Sequence, residues 1–204
     1  AVKDELIAAT QQVIRLRSVR GPAAPGAPFG KDIARCLEYV LELAASMGFS
    51  VKNLDGYAGV IDYGCGAAET LGVLCHLDVV PEGTGWTHEP FGGDLEDGRI
   101  WGRGALDDKG PTLSSLYALQ AIKQAGLPLR RNVRIILGCD EETSWQCMQH
   151  YETVEPLPDL AFSPDADYPL IWFEKGLLQA IYTKQCPSRI RVTAGTLPHV
   201  VPGE

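Results

Sequence analysis

Apolar residues recur along the chain with two spacings, one helical and one extended. From Val2 to Val19 they fall at helical intervals, Leu6, Ile7, Val13, Ile14 and Leu16 gathering on one side, which predicts a helix over that span. "GPAAPGAPFG" is broken by proline and glycine and reads as a loop. "KDIARCLEYVLELAASMGF" predicts a second helix, with Ile33, Cys36, Leu37, Val40, Leu41 and Leu43 in a wide apolar stripe and Gly48 near its end. Extended runs follow at about Val51–Leu54, Ala58–Tyr63 and Leu71–Val80. A loop rich in glycine and proline, Pro81–Gly98, leads to Pro111, a residue suited to a helix start, and to the helical pattern "TLSSLYALQAIKQAG". "NVRIILGCD" predicts a strand, Thr143–Tyr151 a short helix, and Leu160–Phe162 and Leu170–Phe173 short strands. Helices alternating with apolar strands predict an α/β sandwich around a largely parallel sheet. "QAIYTKQC" and "RIRVTA" read as strands of a different piece.

Composition narrows the class without changing that picture. The 204 residues are 45% hydrophobic and 22% charged, as in a globular chain. No apolar run approaches the roughly 18 residues of a membrane span. A net charge of −8 without a basic cluster argues against nucleic acid or an anionic membrane surface as partner. Six cysteines, Cys36, Cys65, Cys75, Cys139, Cys147 and Cys186, lack CxxC spacing and read as reduced, mostly buried thiols of a cytoplasmic protein.

The chemistry gathers where apolar runs end. "LGVLCHLDVV" carries His76 and Asp78 at the downstream end of a strand, and "VRIILGCDEETSW" ends in Asp140, Glu141 and Glu142. Open α/β sheets place ligand sites at the carboxyl ends of their strands. His76 and Asp78 stand two apart and are expected on one face, whereas Cys75 should face away. Asp107 and Asp108 sit where a loop becomes a helix, a position that acids also occupy merely to complement the helix dipole. Asp165 and Asp167 follow another apolar run. Each group alone has an ordinary structural explanation. Together, one imidazole and carboxylates at four successive strand or loop ends suit a catalytic metal site with oxygen and nitrogen ligands, since crowded carboxylates without a cation raise one another's pKa. Adjacent glutamates can then divide coordination from proton transfer.

"CHLDVVPEGTGWTHEPFGG", "IWGRGALDDKGP", "GCDEETSW" and "SPDADYP…FEKG" occur in an order that resembles the dinuclear zinc peptidases of the M20 family, and within it the PepV-type dipeptidases. The resemblance implies the N-terminal part of a three-layer catalytic domain over residues 1–184 and the start of a lid-like α+β domain over 185–204. It implies two Zn2+ ions, with Co2+ or Mn2+ as substitutes: His76 and Asp165 on one, Glu142 on the other, and Asp107 bridging, with a cis peptide before Asp108. It further implies that Glu141 is the general base, that Asp78 orients His76, and that a zinc-bound hydroxide attacks the amide of a small dipeptide or an N-acyl amino acid. Family members run to twice this length or more and supply a late histidine for the second zinc. His199 in "VTAGTLPHVVPGE" occupies a lid position and is a poor substitute, while His88 and His150 read as loop and helix-surface residues. N-acyl amino acid deacylation and an inactive binding module are the alternatives. A nucleotide-binding domain is disfavoured because the glycine-rich pieces lack GxGxxG spacing.

Overall fold

The computed structural model describes residues 2–167, 169–173 and 176. A five-stranded sheet runs in the order β1 (Ser50–Leu54), β2 (Ala58–Tyr63), β6 (Asn132–Gly138), β3 (Thr70–His76), β7 (Leu160–Phe162). β6, β3 and β7 are mutually parallel, and β1 and β2 add an antiparallel flank. Strand alternation sorts the side chains onto two faces. Ile61, Val73, Cys75, Ile135 and Leu137 join the large core beneath α1 (Val2–Ile14), α2 (Lys31–Ser46) and α3 (Lys109–Gln124). Val60, Ile136 and Leu74 pack with Tyr151 of α4 (Gln146–Val154) on the other. The result is a three-layer α/β sandwich. Burial of each large aliphatic side chain contributes about 1.5–3 kcal/mol.

α2 follows its pattern closely, burying Ile33, Cys36, Leu37, Val40, Leu41 and Ala44. Gly59 lets it lie close to β2, because a Cβ there would sit 2.6 Å from Leu37 Cδ1. Cys75 and Cys139 belong to the α1–α3 side, and burial pushes the Cys75 thiol up to about 12. All five cysteines among the described residues are unpaired, and Cys186 lies outside them.

Several expectations need correction. α1 ends at Ile14 rather than Val19, because Leu16 and Val19 stay buried in an extended segment whose Val19 bridges Val79. The expected loop over 81–98 contains the first strand of a hairpin, β4 (Asp94–Glu96) with β5 (Arg99–Trp101), turned by Asp97 and Gly98 at positive φ. α3 begins at Lys109, two residues before Pro111, and α4 begins at Gln146, three after Thr143. Residues 170–173 form no strand. The candidate strands in 179–186 and 189–194, the lid segment 185–204 and His199 lie outside the described residues. No helix among the described residues is long and apolar enough to cross a membrane.

Candidate metal centre

β3 delivers His76 to the edge of the sheet, 2% exposed and in register with Gly138 of the parallel neighbour β6. Its Nδ1 lies 2.9 Å from the main-chain carbonyl of Asp78 and 3.6 Å from that residue's carboxylate. A carbonyl can only accept, so Nδ1 carries a proton, and Nε2 is the ring atom that faces the carboxylates. The Asp78 carboxylate is turned elsewhere. Its two oxygens accept the main-chain amides of Glu141 and Glu142, both at 3.1 Å.

Asp107 and Asp108 divide sharply. The peptide between them is cis. Asp107 is outward, its side chain 58% exposed, with Oδ1 at 3.0 Å from His76 Nε2. Asp108 is fully buried; Oδ2 accepts the His76 amide at 3.0 Å and the Thr112 hydroxyl at 3.2 Å, while Oδ1 has no partner. The loop can fold back against α3 only because residue 110 is glycine. A Cβ there would collide with the carbonyl oxygen of Ala105.

The turn after β6 separates its three acids in the same way. Asp140 is 1% exposed; Oδ1 pairs with Arg20 Nη1, and Oδ2 accepts the Ser144 hydroxyl at 2.7 Å and the Gln146 amide at 3.1 Å. Glu141 and Glu142, half-buried, point to the imidazole. Glu141 Oε2 lies 4.0 Å from His76 Nε2, and Asp165, just beyond β7, places Oδ2 at 3.3 Å. Two groups of donor atoms result, His76–Asp107–Glu142 and His76–Glu141–Asp165, each within 4.8 Å of one another. Asp167 joins neither group. His88 stacks on Trp101, with its Nε2 2.8 Å from Glu96. His150 stacks on Tyr57, with its Nε2 3.1 Å from Asp55.

The electrostatics describe a site built for positive charge. Burial raises the Glu142 carboxyl to about 7, helped by Asp107 and Glu141 and opposed by His76. Burial likewise raises Glu141. For His76 burial acts downward, but the nearby carboxylates of Asp107, Asp165 and Asp78 outweigh it and raise the ring. Asp107 is lowered by its contact with His76. A lone pair at Nε2 aimed at carboxylates from three loops is repulsive unless a proton or a cation lies between them. The donor set, one imidazole and four carboxylates without a thiolate, fits divalent cations of the zinc type.

Asp140 and Arg20 are the residues that sequence reasoning did not separate or find. Adjacent acids past a strand end carry no periodicity that says which one turns inward, and Arg20 stands 120 positions from its partner.

YtjP of Bacillus subtilis (strain 168) is 49% identical over 180 residues, covering 87% of this chain and 39% of that protein. The Beta-Ala-Xaa dipeptidase of Lactobacillus delbrueckii subsp. lactis is 39% identical over 180 residues, with 87% and 38% covered. The chain therefore spans about two fifths of the length of these relatives. Among solved structures, the di-peptidase Dug1p from Saccharomyces cerevisiae superimposes with a TM-score of 0.65 at 21% identity, covering 74% of this chain and 35% of that one. Human carnosine dipeptidase 1 does so with a TM-score of 0.62 at 23% identity and the same coverage, and both show the same fold. Residues 72–193 match the description Peptidase family M20/M25/M40, and the chain belongs to that family.

Proposed function

We propose that this chain carries the acid–base and most of the metal-binding residues of a zinc-dependent dipeptidase. The observation that supports it best is His76 Nε2 facing Asp107, Glu141 and Asp165 from three separate loops, at 3.0, 4.0 and 3.3 Å. His76 and Asp165 would hold one ion, Glu142 the other, and Asp107, the most exposed of the set, would be shared between them. Zn2+ is the ion we assign, with Co2+ or Mn2+ able to substitute. Residues 1–184 are read as the N-terminal part of the catalytic domain and 185–204 as the opening of a lid.

The cations, when bound, supply Lewis acidity toward an amide carbonyl and lower the pKa of water. The remaining steps belong to the protein. Glu141 takes a proton from the attacking water and returns it to the departing amine, a task that suits a carboxyl raised by burial. Asp78 keeps Glu141 and Glu142 in place through their amides, and its carbonyl holds the His76 tautomer. A small dipeptide is the substrate class we assign, because the relatives include a Beta-Ala-Xaa dipeptidase and the di-peptidase Dug1p.

The test is metal analysis of the purified protein, followed by a panel of dipeptides and N-acyl amino acids. Two zinc ions and dipeptide cleavage that is lost in Glu141→Gln are expected. Zinc content indifferent to His76→Ala and Asp107→Asn would sink the site, and turnover confined to N-acyl amino acids would replace the substrate class.

A further inference from the structure

The stretch that leaves α1 carries none of the acids, yet it touches each of three loops that do. The Leu16 carbonyl accepts Nζ of Lys109 at 2.7 Å, a fully buried ammonium two residues beyond Asp107. Ser18 donates its hydroxyl to the Leu77 carbonyl at 2.5 Å, its own carbonyl accepts the Val79 amide at 3.1 Å, and Val19 bridges Val79 in parallel. That places the stretch alongside the segment carrying His76 and Asp78. Arg20 then reaches Asp140, its guanidinium lying 5.1 Å from the centroid of Phe29.

We propose that Leu16–Arg20 is a strap that sets the relative placement of the three loops, and that Arg20 is a positioning residue acting through Asp140 on Glu141 and Glu142. Only the identity of what those glutamates hold rests on the functional reading above. The argument is one of charge and geometry. The Asp140 side chain is 1% exposed and Arg20 is its cation; its remaining partners are a hydroxyl and an amide. The same residue's carbonyl accepts the Trp145 amide at 2.9 Å, and Trp145 takes a left-handed backbone at φ 58°. Without the guanidinium, Asp140 is a buried anion with neutral donors alone. The turn must then open to water to solvate that carboxylate. Opening it moves the two glutamates, whose other anchor is Asp78.

Arg17 is the natural control. It lies in the same strap, but its side chain pairs with Glu82 at 3.0 Å. Amide hydrogen exchange would be compared among the wild type, Arg20→Ala, Arg20→Lys and Arg17→Ala, together with Co2+ titration followed by visible absorption. Arg20→Ala should exchange at least about tenfold faster over 140–146 with β6 unchanged, and should bind Co2+ about 10–100-fold more weakly, the usual effect of losing an outer-layer partner. Arg20→Lys should recover most of both, and Arg17→Ala should match the wild type. Unchanged exchange over 140–146, or a uniform rise through β6, overturns the strap. Faster exchange with wild-type Co2+ affinity overturns its link to the glutamates. A wild-type chain that binds no Co2+ overturns the metal reading alone, and the exchange comparison still decides the strap.

Discussion

The loop before α3 and the turn after β6 each set an inward acid beside an acid that faces the centre, and they stabilise the inward one differently. Asp140 has Arg20 and two further donors. Asp108 has an amide and a hydroxyl, no cation and one oxygen without a partner, and burial raises it to about 7. The difference teaches that an acidic run is not one feature. One member holds the backbone, its neighbour faces the imidazole, and whether the first is a charge or merely an acceptor depends on a partner distant in sequence.

The comparison can be broken at four points. Glu141→Gln should lower turnover by roughly 10²–10⁴ while leaving metal content and melting temperature unchanged, read by steady-state kinetics and metal analysis. Removing the cations by chelation should cost about 2.7 kcal/mol of stability relative to free metal at a hundred times its Kd, read as a thermal shift on adding Zn2+. Asp140→Asn should cost roughly 1.5–3 kcal/mol in urea unfolding, because it weakens charge-assisted bonds. Asp108→Asn should stay within about 1 kcal/mol because an acceptor suffices there.

Glu155 gives the smallest expected effect and the pH arm of the comparison. Lys52 at 2.6 Å, and then Arg134 at 2.8 Å, hold its carboxyl below the ordinary range. A depressed native pKa means that the contribution is complete above the unfolded value of about 4.3 and is lost as pH falls through the native one. Glu155→Gln should therefore cost about 1 kcal/mol or less near neutrality and nothing in stronger acid. An equal cost at both pH values would contradict that sign.

Much of the layered fold was legible because β2, β3 and β6 alternate onto two apolar faces and α2 keeps an unbroken stripe. What escaped has physical causes. Leu16 continues the helical spacing of Val13, yet its carbonyl serves Lys109 instead of a helix. The Asp97–Gly98 turn was readable as a hairpin signal, but the surrounding glycine and proline masked the three-residue strands. Asp78 was expected to share a face with His76. Its carboxylate does lie 3.6 Å from the ring, but the strand ends at His76, and what alternation could not foresee is that both oxygens accept the amides of 141 and 142. The gathering of carboxylates about His76 was anticipated from their places at strand and loop ends, and the individual members of the set from motif order.

β6 lies between β2 and β3, both of which precede it along the chain. The centre of the sheet is therefore made after its neighbours, and during synthesis those two strands wait with facing edges open. Arg20 finds Asp140 only after β6 has inserted, across a separation of 120 positions. Closing so long a loop is entropically costly and slow. Order among the glutamates thus arrives with insertion of the central strand, and a nascent chain that stops short of it carries His76 and Asp107 without the machinery around them.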